Sequence, residues 1–328
     1  MPRKHPPPIE LIRSLADGKW HSGETLAGVL GVSRTAVWKR LRELETLGLE
    51  LHKLTGRGYR LARPLELLDK DAIARAIAPA RKARLDGMEV LALTDSTNRV
   101  LMENRLERAL CFAEYQSAGR GRRGRSWVSP FGANLYFSAA WSFSSAPAAL
   151  AGLSLAVGVG LARVLRELGI AELGLKWPND LYWREKKLGG ILIEHAGEAG
   201  GPWRVVAGVG INFAMSEQQA KSVDQPWTSL AEACAAPRLT MPGRNHLAGQ
   251  CADALLAVLE RFGAEGLEPF RKTWSEFDIA HNRVVRIEDG GRWREGRACG
   301  IDTDGALLLQ IGSNQQRFVS GEVSLRLE

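Results

Sequence analysis

Along this chain the spacing of apolar positions changes character three times. From Ile9 to Leu47 they recur at helical intervals and predict three short helices: Ile9 to Leu15, Gly23 to Leu30, and one running from Ser33 as N-cap through about Leu47. Asp17-Gly18 and Gly31-Val32-Ser33 supply the breaks between them. On the third helix Ala36, Val37, Leu41 and Leu44 make the apolar stripe, while Arg34, Thr35, Trp38, Lys39 and Arg42 face away from it or flank it. Leu49 to Arg60 then reads as two short strands around a glycine turn, with Arg57 at the tip. Three helices and a β-ribbon in this order predict a winged helix-turn-helix with the Ser33 helix in the recognition position.

The stretch from 67 to 277 mixes helical and strand periods, as a mixed β-sheet backed by helices requires. Ser96 opens a helix with Val100, Leu101 and Leu110 turned inward, and Pro147 to Leu168 forms a long one whose Gly152, Gly158 and Gly160 permit close packing. Ala248 to Phe262 is amphipathic, with Leu247, Cys251, Leu255, Leu256 and Leu259 on one face. Lys176 to Tyr182 reads as a strand ending at a proline turn that Asn179 and Asp180 fix by side-chain hydrogen bonds. A β pair follows, Lys187 to Glu194 and Val205 to Asn212, joined by a glycine-rich turn around 197–201. Its alternating glycines predict that something lies close against the backbone. From 278 to 328 short alternating runs are divided by turns at Asp289-Gly290-Gly291, Asp304-Gly305 and Gly312-Ser313-Asn314, which predicts a small all-β unit. The chain is therefore α+β and multidomain, with expected boundaries at 1–66, 67–277 and 278–328.

Composition narrows the class. The longest apolar stretch, Ala146 to Leu165, carries three glycines and Arg163, so it reads as a buried helix and no membrane partner is expected. The basic, proline-rich N-terminus has no apolar run after it, as a signal peptide would need. Four cysteines lie far apart with no C-x-x-C, which argues against a disulfide framework or a zinc site and fits a cytoplasmic location; no metal ligands are assigned. Residues 1–66 hold twelve lysines and arginines against seven acids, so five of the chain's seven net positive charges reside there. A polyanion is a fitting partner for that segment.

The candidate chemistry centres on Gly119-Arg120-Gly121-Arg122-Arg123-Gly124-Arg125-Ser126-Trp127, four cations and three glycines in seven residues without an acid. Glycine lets backbone approach a ligand closely, and arginine offers a planar fork that matches phosphate or carboxylate oxygens. The letters also satisfy G-x-G-x-x-G, but loop residues follow where a dinucleotide fold needs a helix, and no acid occurs between Gly124 and Glu167. A solvated basic loop or a nucleic-acid patch is the plainer alternative.

Six further elements, taken in order, resemble the bifunctional biotin–protein ligases that are also biotin operon repressors. They are Asp95-Ser96-Thr97-Asn98, Glu114 to Ala118 leading into the arginine loop, Ser129 to Tyr136, Lys176 to Tyr182, Lys187 to Glu194, and Gly208 to Asn212. The resemblance implies a central biotin/lipoate ligase-like domain and a C-terminal SH3-like β-barrel. It implies a two-step reaction: biotin and ATP give biotinyl-adenylate and pyrophosphate with Mg²⁺, and a lysine of the biotin carboxyl carrier protein of acetyl-CoA carboxylase then displaces AMP. Operator DNA and, with adenylate bound, a second copy of the chain are the other implied partners. No G-x-x-x-x-G-K-[ST] is present, so the arginine loop must hold the nucleotide.

Carried over position by position, the resemblance assigns Ser96, Thr97, Asn98, Gln116, Gly119, Gly121, Gly190 and Gly208 to biotin. Arg120, Arg122 and Lys176 are assigned to both ligands and to catalysis, with Lys176 bridging the biotin carboxylate and the α-phosphate. Arg125, Trp127, Asn179 and Asn212 are assigned to ATP or adenylate. Ser33, Arg34, Thr35, Trp38, Lys39, Arg42 and Arg57 are assigned to DNA. A lipoate or other acyl-carrier ligase, a non-catalytic biotin-sensing repressor and a ligase with a vestigial DNA domain are the competing readings.

Overall fold

The N-terminal helices form where the pattern asks for them in the computed structural model, which describes residues 8–104, 106–143, 150–197, 203–235, 238–289, 291–319 and 324–327. They are α1 (Ile9–Leu15), α2 (Gly23–Leu30) and α3 (Arg34–Glu45). Ser22 and Ser33 accept from the backbone N–H of Thr25 and Ala36, satisfying a donor that each helix start leaves open. Leu11, Ile12, Leu15, Leu26, Val37, Leu41 and Leu44 are buried together. The wing is β1 (Leu51–Leu54) paired antiparallel with β2 (Gly58–Leu61). Gly58, at φ 101°, lies where a Cβ would strike the His21 carbonyl, because His21 and Tyr59 exchange backbone hydrogen bonds.

The central sheet has seven strands: β3 (Gly87–Leu91), β4 (Arg108–Ala113), β5 (Leu135–Phe143), β6 (Leu173–Lys176), β7 (Asp180–Trp183), β8 (Lys186–Gly197) and β9 (Trp203–Ile211). Their order is β3-β4-β5-β9-β8-β7-β6, and the β3–β4 pair alone among them is parallel. Among the described residues seven helices accompany it: α4 (Lys70–Arg75), α5 (Pro79–Lys82), α6 (Thr97–Glu103), α7 (Leu150–Glu167), α8 (Leu230–Ala235), α9 (Arg244–Glu265) and α10 (Glu268–Phe277). The expected close packing of α7 is present: a Cβ on Gly160 would stand 2.7 Å from Val258 of α9.

Several expectations need correction. Leu110 is not part of the helix that starts after Ser96; α6 stops at Asn104, whose backbone is extended, and Leu110 is buried within β4. α9 begins four residues before Ala248 because the Glu66 carboxylate accepts from the N–H groups of Arg244 (2.5 Å) and Asn245 (3.0 Å). That cap comes from 178 residues away and leaves no local signal. Residues 147–149, most of the turn at 197–201, Gly290 and residues 321–323 lie outside the described residues.

The C-terminal strands are β10 (Val284–Asp289), β11 (Arg292–Ile301), β12 (Leu307–Ile311), β13 (Asn314–Phe318) and β14 (Ser324–Leu327). They form one antiparallel sheet in the order β13-β12-β11-β10-β14. Val285, Ile287, Leu307 and Leu309 join the apolar core of the central sheet, and Trp177 Nε1 donates to the Gly305 carbonyl at 3.0 Å. The winged helix is attached as firmly: Phe131 of the central domain is buried in its core and donates its N–H to the Leu47 carbonyl. Among the described residues no helix is long and apolar enough to cross a membrane.

Candidate functional site

A cleft of about 840 Å³ opens on the central sheet. Its floor is backbone of β8 and β9, where Gly190, Gly208 and Gly210 face it, and the arginine loop forms a wall. Ser96, Thr97, Asn98 and Gln116 line one end. Arg120, Gly121, Arg122, Arg125 and Trp127 reach it from the loop, and Lys176 and Asn179 from the turn between β6 and β7. Two expected residues stand apart. Gly119 is buried beneath the loop, where a Cβ would meet the Trp127 carbonyl at 2.6 Å and Ser129 Oγ at 2.7 Å. Asn212 is not brought to the cleft; its amide donates to the Thr228 carbonyl at 3.0 Å and serves to hold backbone.

The polar end is a connected network. Gln116 Oε1 accepts from Thr97 N at 2.9 Å, and Gln116 Nε2 donates to Ser129 Oγ at 3.2 Å. Ser138 Oγ lies 2.7 Å from Thr97 Oγ1 and 2.6 Å from Asn98 Oδ1. Asn98 Nδ2 donates to Glu194 Oε2 at 2.8 Å, and the same carboxylate oxygen accepts from Arg120 at 3.1 Å. Locked rotamers of this kind suit recognition of a small polar group. The alternating glycines are explained by the protein's own side chains: a Cβ on Gly208 would strike Asn98 Oδ1, and one on Gly210 would stand 2.5–2.7 Å from the Trp127 indole.

The loop itself is a tight reversal. Arg120 bridges Ser126, Gly121 N–H donates to the Arg125 carbonyl at 2.7 Å, and Arg123 at its tip takes φ 56° and ψ 34°. Burial lowers the Arg122 pKa; the Asp180 carboxylate opposes that, and Arg123 and Arg125 add to it. Crowded cations that outnumber their carboxylate neighbours suit an incoming anion. Across the cleft, Lys176 Nζ donates to Tyr182 Oη at 3.3 Å, and burial raises the Tyr182 phenol above its ordinary range.

Residues that sequence reasoning left out also converge here. Lys187 pairs with Asp180 at 2.9 Å and sits 5.5 Å above the Trp127 ring, in the direction of the arginine loop. A lysine at the start of an otherwise apolar strand was its only local signal. Glu194 ties Arg120 to Asn98, and Ser222, Asp224, Gln225 and Pro226 bring a second loop to the cleft. Nothing in the residue types of that loop marks it in advance.

The second candidate surface lies on the winged helix. Arg34, Thr35, Trp38, Lys39 and Arg42 are exposed along one side of α3, Ser33 caps it, and Arg42 stacks on Trp38 at 5.1 Å. Arg57 is exposed in the wing turn, away from the α3 core. Basic side chains on a helix and a neighbouring ribbon are the arrangement that meets a groove and its flanking phosphates.

A basic, glycine-floored cleft on a mixed sheet, joined to a winged helix, defines a ligase-type domain with a DNA-binding module. Comparison with known proteins narrows that class. The biotin/lipoate A/B protein ligase family model matches residues 90–212, a helix-turn-helix model matches 10–60, and a biotin protein ligase C-terminal domain model matches 280–326. The bifunctional ligase/repressor BirA of Salmonella typhimurium is 43% identical over 322 residues, and that of Escherichia coli is 42% identical over 324, each alignment covering 97% of both chains. The biotin protein ligase from Aquifex aeolicus, solved with biotin and ATP, superposes with a TM-score of 0.63 at 26% identity over 74% of this chain and 100% of its own. The chain belongs to the bifunctional ligase/repressor family of biotin protein ligases.

Proposed function

We propose that this chain joins biotin to ATP as biotinyl-adenylate, transfers the biotinyl group to a lysine of a biotin carboxyl carrier protein, and represses transcription by binding operator DNA. One observation carries the ligase reading: two lysines and five arginines from separate elements converge on a single glycine-floored cleft. In the first step a biotin carboxylate oxygen attacks the α-phosphorus and pyrophosphate leaves. In the second the carrier amine attacks the acyl carbon, AMP leaves, and the amine gives up a proton. Both reactants of the first step are anions, so their repulsion must be screened before they meet.

The residues divide that work. The Thr97, Asn98 and Gln116 network orients the neutral polar end of biotin, Trp127 covers it, Gly208 leaves room for Asn98 to take its place in that network, and Gly190 lies on the floor beside Trp127. Arg120, Arg122 and Arg125 close over the carboxylate and phosphates, with Asn179 beside them. Lys176 and Lys187 flank the reacting centre. Lys176 bridges the biotin carboxylate and the α-phosphate, and Lys187, which faces the loop and Trp127, adds to the charge stabilisation. Among the described residues no group of three or more His, Cys, Asp or Glu is placed to cage a metal. Mg²⁺ would arrive with ATP and needs only one or two protein carboxylates besides phosphate oxygens; Asp180, which lines the cleft beside Lys187, is one that could supply them. Bound to the triphosphate, Mg²⁺ supplies charge neutralisation of the leaving group.

Ordering of the loop by adenylate would also complete a surface for a second copy of the chain, linking ligand to operator binding. Sedimentation with and without biotin and MgATP tests that link, and identical association constants would refute it. The direct test of the ligase is to incubate the full chain with biotin, MgATP and a carrier domain, and weigh the carrier. The expected result is one added biotin, none with lipoate, and a loss of about 10²–10³-fold in rate for Lys187→Ala. Tight biotin binding without transfer would make the chain a sensor rather than a ligase.

A further inference from the structure

An ion pair joins the arginine loop to the C-terminal sheet: Arg123 Nη1 lies 3.0 Å from Glu288 Oε2 on β10. We infer that Glu288 is a positioning residue that anchors the arginine loop through Arg123, so that the C-terminal sheet sets how long the cleft retains its ligand. The retention half of this inference rests on the ligase reading above; the anchoring half does not.

Three features point the same way. The two partners differ in rigidity. Glu288 is in register with Trp293 on one side and Ser324 on the other, and its neighbour Ile287 is fully buried in the shared core. Arg123 is the tip of a short loop. Its own backbone is in the left-handed region, which a non-glycine residue holds only when its surroundings enforce it. The loop's four arginines repel one another, and their carboxylate neighbours come from other elements: Glu194 on β8 for Arg120, Asp180 on β7 for Arg122, and Glu288 on β10 for Arg123. Glu288 alone of these belongs to the C-terminal sheet. A second pair, Arg283 with Glu185 at 2.7 Å, ties the start of the same strand to the β7–β8 turn, and both of its members line the cleft. The C-terminal unit thus reaches the rim of the cleft through Arg283. Opening the loop for ligand exit separates Arg123 from Glu288, so their attraction adds to the barrier for release.

The experiment uses the full chain and compares wild type with Glu288→Gln, Glu288→Asp and the exchanged pair Arg123→Glu/Glu288→Arg. Amide hydrogen exchange over residues 120–126 without ligand reads the anchor. The rate at which labelled biotinyl-adenylate leaves the protein reads retention. Because both partners are partly exposed, Glu288→Gln is expected to raise loop exchange and adenylate release by about two- to five-fold, with salt dependence reduced. Glu288→Asp and the exchanged pair should recover most of that loss. Wild-type exchange and release rates in Glu288→Gln, or no recovery in the exchanged pair, would overturn the inference. If loop exchange responds while the wild type makes no adenylate, the ligase reading and the retention claim fall together, and the anchor stands.

Discussion

Gly210→Ala puts the packing of the cleft floor to a quantitative test. The added methyl would stand 2.5, 2.6 and 2.7 Å from Cε2, Nε1 and Cζ2 of Trp127. Ordinary carbon contacts are about 3.5–4.0 Å, so one partner must yield by roughly 1 Å. Gly210 cannot, because β9 is held between β5 and β8, with Tyr136 and Gly190 as its register partners. Trp127 can, because it closes a loop and its buried indole N–H has no hydrogen-bond partner among the described residues. The indole should therefore shift, carrying the end of the arginine loop with it. Overpacking costs about 1–3 kcal/mol when nothing moves, and a displacement near 1 Å at a reacting site costs on the order of 10²-fold in rate. Steady-state adenylate formation should show kcat/KM for biotin reduced about 100-fold, with little change in Tm. Placing Gly210→Ala on a Trp127→Phe background, where the smaller ring leaves space, should cost less than tenfold. Equal losses on both backgrounds would show that the indole contact is not the cause.

Arg244 and Glu114 are 1% and 6% exposed and pair at 2.6 Å, so Arg244→Met should destabilise the chain by about 3–5 kcal/mol by stranding a buried carboxylate; a loss under about 1 kcal/mol in denaturation would contradict this. Asp278 is raised to about 6 from the model-peptide value of 3.8, chiefly by burial, and its Oδ2 has no hydrogen-bond partner among the described residues. The folded state then binds a proton that the unfolded state has lost, so stability falls as pH rises from about 4 to 6, and Asp278→Asn should flatten that slope and stabilise the protein at pH 7. Thermal unfolding across this range checks the sign. On the winged helix, Arg57→Ala should weaken binding to all duplex sequences alike and lower the salt slope by about one; a change in sequence preference would mean that Arg57 reads bases.

The local pattern carried much of the winged helix. Ser22, Ser33 and Gly31 mark helix ends by side-chain and backbone chemistry confined to a few residues, so their positions are legible without a fold. The arginine loop was legible as a dense cluster of cations for a similar reason: charge density and glycine content belong to the chain itself. The alternation of Gly208 and Gly210 announced a close neighbour but not its identity. That neighbour came from residues 98 and 127, far away in sequence.

What the sequence by itself determined, then, is the inventory: three segments of distinct periodicity, the helix and turn signals within them, and a glycine-rich cluster of cations. What only the tertiary structure decided is which distant groups meet. Glu66 caps α9, Asn212 is spent on holding backbone rather than reaching the cleft, and Asp180 gathers Lys187 and Arg122 around one carboxylate. Glu288 reaches the loop from another sheet. Local propensity acts over a few residues, whereas electrostatic and packing partners are chosen by the fold, and nothing in a run of letters records a contact made across the molecule.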